Sequence, residues 1–190
     1  RKGCIMKNYQ KNLKILQDGH VYSNKMEHDA CGVGLIASTE GKKSRKVVEY
    51  GINALKAVWH RGAVDADGKT GDGAGIHLEI PSDFFAEKIE LTGHKHDGSE
   101  ICVGMIFLPR NNYAAQENSR TIIETELTKS NFSIYGWRQV PVNPKVLGEK
   151  ANFTRPEITQ VLFKHNNKNL TGKDLERKIY ESRRKIEKEA

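Results

Sequence analysis

A chain of 190 residues with 37% hydrophobic and 29% charged residues has the composition of a folded globular protein, which excludes an intrinsically disordered chain. It is long enough to bury a core without disulfide bonds or metal ions, so one α/β or α+β domain is the first expectation. The net charge of +7 invites a nucleic-acid interpretation, but basic and acidic residues are interleaved without an aromatic stacking pattern, so we expect no nucleic-acid partner.

The apolar runs and the cysteines indicate the compartment. No run approaches the roughly 20 apolar residues that cross a bilayer, so we expect no membrane association. Cys4, Cys31 and Cys102 form neither an even disulfide framework nor a CxxC metal pair. Residues 1–30 lack the continuous apolar core of a secretory signal. These features favour the reducing cytoplasm.

The first predicted elements follow a polar arm. Segment 1–28 is polar and has no sustained periodicity, and residues 1–30 are predicted to be a leader. The small, alternating apolar residues over 31–38 predict the first strand. Helical spacing predicts a helix over 44–62, with Ser44 as its N-cap. A loop rich in glycine and aspartate then leads to a second predicted strand over 76–80.

The second half of the chain alternates helices and strands. The predicted elements are a short helix over 81–89, a loop over 93–100, a strand over 101–108, a helix over 112–127, and strands over 132–140 and 158–165. Thr171 and Asp174 match a capping box, and Leu175, Ile179 and Ile186 form the apolar stripe of a charged final helix. This helix has no stop signal, so we expect the chain to be cut there.

Two loop motifs resemble ligand sites but do not match them. Gly68-Lys69-Thr70 has the ending of a P-loop, yet Gly62 lies one residue too far away and the preceding element is a predicted helix. Asp65, Asp67 and Asp72 suggest a calcium loop, but Lys69 and Thr70 occupy the positions of an oxygen ligand and the turn glycine. We therefore expect neither site.

The loop over 93–100 contains two histidines, His94 and His96. They are predicted to be exposed to solvent. A histidine pair in a flexible loop would need acidic or cysteine partners to hold a metal ion. We therefore expect no metal site in this chain.

Cys31 is the candidate nucleophile. A thiol attacks as the thiolate and needs a base; cleavage after Ala30 would supply one, because a free α-amino group titrates near pH ~8. Gly32 and Gly34 would let the backbone approach a substrate and a neighbouring strand. Judged by the residues alone, an inert core cysteine that opens a strand remains an open alternative, and Cys102 is expected to be one.

Several motifs together carry a family resemblance. They are Glu27-His28-Asp29-Ala30-Cys31-Gly32-Val33-Gly34, Trp59-His60-Arg61-Gly62-Ala63, Asp67-Gly68-Lys69-Thr70-Gly71-Asp72-Gly73-Ala74-Gly75, Val103-Gly104-Met105, Gly136-Trp137-Arg138, Val140-Pro141, Leu147-Gly148-Glu149 and Arg183-Arg184-Lys185-Ile186-Glu187-Lys188. In this combination the chain resembles the start of glutamate synthase large chains over nearly everything after residue 26.

The resemblance implies an α+β fold and a glutaminase activity. Residues 31–190 would be the N-terminal part of a class II glutamine amidotransferase domain. Its N-terminal-nucleophile fold is an αββα sandwich of two mostly antiparallel sheets, incomplete in this chain. Residues 1–30 would be removed as a propeptide. Cys31 would then attack the side-chain amide of L-glutamine, release ammonia and leave a glutamyl thioester that water hydrolyses.

The same resemblance assigns a role to Arg61. Arg61 is expected to lie beside Cys31 and orient it, the alternative being an arginine that neutralises a helix C-terminus. The run from Gly71 to Gly75 would line the same neighbourhood, although an ordinary tight loop also explains its glycines. Most substrate-binding residues are expected beyond residue 190, so this segment alone is expected to be inactive.

Further parts of the full-length enzyme are implied. It would be an oxidoreductase that passes ammonia to 2-oxoglutarate, with FMN and a 3Fe-4S cluster as cofactors, neither of them in this segment. Its partners would be the rest of the large chain and a flavoprotein small subunit. Two alternatives remain, namely another class II amidotransferase and a non-catalytic basic binding module in which Cys31 is buried. The long leader and the Asp67–Gly75 run favour glutamate synthase.

Overall fold

The computed structural model describes residues 11, 14, 15, 18, 19, 32–58, 64–71 and 73–190. The chain divides into two units, Arg1–Ala54 and Leu55–Ala190. Helix α1 (Arg45–Ala57) begins in the first unit. Ser44 caps this helix as predicted, because its Oγ accepts a hydrogen bond from the Lys46 N–H at 3.2 Å. The helix ends five residues before the predicted end at Gly62.

Two predicted strands are wrong over the described residues. Residues 32–38 and 76–80 have no regular secondary structure. Val33 is 94% exposed and Leu35 is 90% exposed, and the apolar residues of 76–80 are exposed as well. A strand requires a hydrogen-bonded neighbour and a face to bury. Within the part of the chain that the structure describes, no neighbouring strand pairs with either segment.

The second unit contains the remaining elements. They are α2 (Ser82–Glu90), β1 (Cys102–Leu108), α3 (Tyr113–Lys129), β2 (Phe132–Gln139), a 3-10 turn (Pro144–Val146), α4 (Glu149–Thr154), β3 (Glu157–His165) and α5 (Gly172–Glu189). The predicted elements from residue 81 onward are confirmed, with bounds shifted by one or two residues. The short helix α4 was not predicted.

The sheet has three antiparallel strands in the order β1-β3-β2. The middle strand, β3, is the most buried, and its side chains alternate between the two faces. The pairing of β2 with β3 is interrupted by a register shift between Ile134 and Gly136. This bulge turns the end of β2 relative to its neighbour.

A hydrophobic cluster lies on each face of the sheet. Helices α3 and α5 cover the first face, over a cluster of Cys102, Ile123, Leu127, Phe132, Val161, Phe163 and Leu175. Ile179 and Ile186 pack against this cluster, so the predicted stripe on the last helix is confirmed. The predicted capping box is wrong, because Thr171 makes no side-chain capping hydrogen bond.

The second face is only partly covered. Helix α2 packs there with a cluster of Phe85, Ile89, Ile101, Tyr135 and Leu162. Beyond this cluster, Met105 is 48% exposed and Phe107 is 64% exposed. The helices and the antiparallel sheet confirm the α+β class. The three strands of the described residues form one sheet. None of the described helices is long and apolar enough to traverse a bilayer.

Candidate active site

Both predicted catalytic residues, Cys31 and Arg61, lie outside the residues that the structure describes. The structure describes parts of the chain near them, namely residues 32–58 after Cys31 and residues 64–71 after Arg61. No described atom lies within 4 Å of the position that a Cβ would occupy at Gly32 or Gly34. Packing within the described chain therefore does not explain these two glycines, and their predicted approach to a substrate or a strand stays a prediction.

The loop over residues 64–71 is closed by its own backbone. Val64 and Gly71 pair as an isolated antiparallel bridge. Inside it, the Asp65 N–H donates to the Thr70 carbonyl oxygen at 2.7 Å, and the Gly68 N–H donates to the Asp65 carbonyl oxygen at 2.9 Å. Gly68 has φ +68°, a conformation that glycine adopts without steric cost. The backbone therefore enters the loop at Val64 and leaves it at Gly71, directly opposite.

The Asp67 carboxylate organises the interior of this loop. Its Oδ1 accepts hydrogen bonds from the Lys69 N–H at 2.9 Å and the Thr70 N–H at 2.7 Å. Its Oδ2 accepts a hydrogen bond from the Thr70 hydroxyl. The Thr70 hydroxyl, followed by the two amides, holds the pKa of Asp67 well below its ordinary value. Asp67 thus occupies amides that a P-loop would offer to a phosphate.

Helix α4 supports the loop from outside. Lys150 Nζ lies 2.6 Å from Asp65 Oδ2, and this contact, followed by the Ala66 N–H, lowers the pKa of Asp65. The Ala151 N–H donates to Thr70 Oγ1 at 3.4 Å across 81 positions of sequence. Asp65 and Asp67, two of the three acidic residues that suggested a calcium loop, are therefore engaged by protein donors, and Asp72 lies outside the described residues. No group of three or more potential metal ligands occurs among the described residues.

Gly148 makes the contact between helix α4 and the loop close. A Cβ at this position would lie 2.2 Å from Thr70 Oγ1 and 2.3 Å from Asp67 Oδ2, so only glycine fits without displacement. The motifs Leu147-Gly148-Glu149 and Asp67-Gly68-Lys69-Thr70-Gly71 are therefore in contact. Sequence reasoning found both motifs but missed their contact, since a single sequence cannot show correlated substitutions.

Two further glycine motifs are explained by packing. A Cβ at Gly104 would lie 2.7 Å from Val161 Cγ1 on the neighbouring strand. A Cβ at Gly136, where φ is +149°, would lie 2.9 Å from Thr92 Cγ2. After the bulge, the Trp137 Nε1–H donates to Glu124 Oε1 at 2.6 Å on helix α3. These residues hold the sheet and helices together, which assigns them a structural role.

Cys102 is the inert cysteine that was predicted. It is 3% exposed, within the cluster beneath α3 and α5. Burial, followed by the negative charges of Glu100 and Glu176, raises the pKa of its thiol to about 12. The side chain therefore stays protonated at neutral pH and behaves as a small apolar residue.

Comparison with known proteins identifies the family. The sequence model of the class-II glutamine amidotransferases matches residues 31–190, so the match begins at Cys31. The chain belongs to the class-II glutamine amidotransferase family. A glutamate synthase [NADPH] large chain from Azospirillum brasilense is 52% identical to this amidotransferase chain over 180 residues.

Other glutamate synthases are similar to this class-II amidotransferase chain. The ferredoxin-dependent enzyme from Pyropia yezoensis is 38% identical over 92% of the chain, and the chloroplastic ferredoxin-dependent enzyme from Spinacia oleracea is 36% identical over 86% of it. The amidotransferase chain covers 12%, 11% and 10% of the Azospirillum, Pyropia and Spinacia proteins. It thus corresponds to a small part of each relative.

Proposed function

We propose that this chain is the glutaminase part of a glutamate synthase, and that it hydrolyses L-glutamine to glutamate and ammonia through Cys31. The main observation that supports the proposal is that the amidotransferase family match begins at Cys31 and continues to residue 190. The similarity to glutamate synthases over nearly the whole chain supports the more specific assignment. It favours a glutamate synthase over another class II amidotransferase.

The proposed chemistry requires a free N-terminal amine. After removal of residues 1–30, the α-amino group of Cys31 accepts the thiol proton, and the thiolate attacks the amide carbon of glutamine. The amide nitrogen takes up a proton and leaves as ammonia, so a C–N bond breaks and a C–S bond forms. Water then attacks the thioester, which releases glutamate and restores the thiol. In this proposal Arg61 orients Cys31.

The larger protein would use the ammonia. We propose that it passes to 2-oxoglutarate in synthase domains that carry FMN and a 3Fe-4S cluster. Cys102 is the one cysteine among the described residues, and it is buried, whereas an iron–sulfur cluster is held by several thiolates. We propose that both cofactors are bound by parts of the larger protein outside this segment. The rest of the large chain and a flavoprotein small subunit are the proposed partners, and a cytoplasmic location stays a prediction.

The described sheet also supports a two-sheet sandwich. One of its faces is covered by α3 and α5, whereas the other leaves Met105 and Phe107 exposed beyond helix α2. We propose that in the complete domain a second sheet covers this open face. Burial of the exposed apolar side chains would be the driving force.

The test uses the full-length protein with its natural processing. Intact-mass analysis is expected to give Cys31 as the first residue of active preparations. Cys31→Ala is expected to lower glutamine hydrolysis by about 10³-fold or more, because the nucleophile is lost. Cys102→Ala is the matched control and is expected to retain activity. Active protein that keeps residues 27–30, or hydrolysis by Cys31→Ala, would contradict the proposal.

A further inference from the structure

A cavity of about 310 Å³ opens at the end of the sheet, where strands β1 and β3 separate. The last pair of the β1–β3 ladder is Leu108 with Glu157, and the next residues are Pro109 on one side and Pro156 on the other. Proline has no N–H to donate, so the two prolines end the ladder and the chains diverge. The described residues that line the cavity all belong to the second unit.

Two half-buried arginines, Arg110 and Arg155, line this cavity. Neither guanidinium makes a hydrogen bond, ion pair or ring contact within the part of the chain that the structure describes. The Arg155 Nε atom is buried and has no hydrogen-bond partner among those residues. A buried polar atom of a charged group is destabilising unless it is paired. The pair of arginines therefore requires an acceptor from elsewhere.

The backbone on both sides of the cavity is held in place. The buried Gln116 of helix α3 donates from its Nε2 to the Pro109 carbonyl oxygen at 2.9 Å and to the Arg110 carbonyl oxygen at 3.2 Å. On the other side, Arg155 is the C-cap residue of helix α4 and lies two residues before the start of β3. Both arginines extend from fixed backbone positions, which lowers the entropic cost of binding a partner.

The lining of the cavity determines the chemistry of that partner. No acidic residue lines it within the described part of the chain, so the two guanidinium groups give it a positive charge. Its apolar walls include Phe107 and Phe153, and Phe153 is 83% exposed. Guanidinium groups bind carboxylates through pairs of parallel hydrogen bonds. The complementary partner is therefore a carboxylate that has an apolar side chain beside it.

We propose that this cavity is the docking site for an acidic segment of the larger protein, in which a carboxylate pairs with Arg110 and Arg155 while a neighbouring apolar side chain packs against Phe153. The inference rests on the proposed function, in which the chain is a small part of a glutamate synthase. The chain covers 12% of the Azospirillum relative, so proteins of this kind contain further chain that could supply the segment. An attached segment is favoured over a diffusing anion, because it keeps the buried Arg155 Nε paired at all times.

Zero-length cross-linking of the full-length protein tests this proposal. Arg155→Lys places a primary amine in the cavity, and a water-soluble carbodiimide joins an amine to a carboxylate in contact with it. An amide bond forms and the carbodiimide takes up the water as a urea. We expect peptide mapping to show the introduced lysine linked to an aspartate or glutamate outside residues 1–190. Arg110→Lys is expected to give the same link and replaces Arg155→Lys if that variant does not fold.

Two controls accompany the cross-linking. Asn152→Lys is the matched variant, because Asn152 is exposed on the same helix and does not line the cavity. Its link to the same acidic residue should be at least about 10-fold weaker, since coupling requires the contact distance of an ion pair. The native pair of Lys164 and Asp97, with Nζ and Oδ2 2.6 Å apart, is the internal standard that should couple in every sample.

Several outcomes would overturn the proposal. They are a link to an acidic residue within 1–190, a link between two copies of the chain in an isotope-mixed sample, and no link while the internal standard forms. Binding of inorganic phosphate that Arg155→Met abolishes would also overturn it, because a free anion would then occupy the cavity. Glutamine hydrolysis is measured separately. Activity that depends on Cys31 without the expected link leaves the proposed function intact, whereas hydrolysis by Cys31→Ala contradicts that function whatever the link.

Discussion

Strand β3 and the segment over 76–80 are both rich in apolar residues but have different structures. In β3, Val161 and Leu162 are buried, whereas Ile76, Leu78 and Ile80 are exposed and not in a strand. The difference lies in their neighbours, since β3 pairs with a strand on each side. Apolar residues thus mark a segment that could form a buried strand, but pairing decides whether the strand forms.

The largest expected difference between the buried sheet and the N-terminal segment is in the reactivity of their cysteines. Iodoacetamide is expected to label Cys31 of the processed full-length protein and to spare Cys102. At pH 8 a thiol with a pKa of about 12 is roughly 10⁻⁴ ionised, and burial also blocks access. Peptide mapping should therefore show a ratio above about 10³. Urea should make both cysteines reactive, and equal labelling of the folded protein would contradict the assignment.

Truncation of apolar side chains should show the next largest effect. Leu162→Ala removes a fully buried side chain in the middle of the sheet and is expected to lower the free energy of unfolding by about 3 kcal/mol. Val33→Ala changes a side chain that is 94% exposed and is expected to cost less than about 0.5 kcal/mol. Urea titrations measure both. A comparable loss in Val33→Ala would mean that this segment is packed in solution.

The bulge in β2 provides a sharper test of packing around a glycine. Gly136→Ala is expected to cost about 3 kcal/mol, because it combines an unfavourable φ with a collision against Thr92. Gly98→Ala has φ +79° but open space around it, so it should cost only about 1 kcal/mol. Equal costs, measured by urea unfolding, would show that Thr92 moves aside freely.

Asp97 should give the smallest effect, as a change in the pH dependence of stability. Lys164, followed by Ser99 and Lys168, lowers the pKa of Asp97, which ties the 93–100 loop to β3. Because the folded pKa lies below the unfolded value of about 4, the contribution is fully present above pH ~4 and is lost as the pH falls toward the folded pKa. The difference in Tm between wild type and Asp97→Asn should therefore be largest at neutral pH.

A double-mutant cycle provides the control for this prediction. Lys164→Met removes the first partner of Asp97, so the two substitutions should be less than additive at pH 7. At pH 3 the coupling between them should become smaller. A Tm difference that stays constant from pH 7 to pH 3 would contradict the proposed ion pairing.

Local patterns predicted the well-packed half of the fold. Helical spacing and apolar runs located α3 and the three strands, because these elements bury a continuous face. Helix α4 was missed because six residues carry too little periodicity. The contact of Gly148 with Thr70 could not be predicted, since it depends on how distant segments meet. For Cys31 and Arg61 the family resemblance supplied the roles, and these stay predictions because both residues lie outside the described residues.

The strand order also affects how the chain folds during synthesis. The middle strand, β3, comes last in sequence, so neither β1 nor β2 can form its sheet hydrogen bonds before Glu157–His165 has been made. Helix α3 needs only local contacts and can form earlier. A nascent chain that stops before residue 157 therefore displays two unpaired apolar strands, which are open to association with other chains. Once β3 has been translated, both strands can pair with it and their edges are no longer exposed.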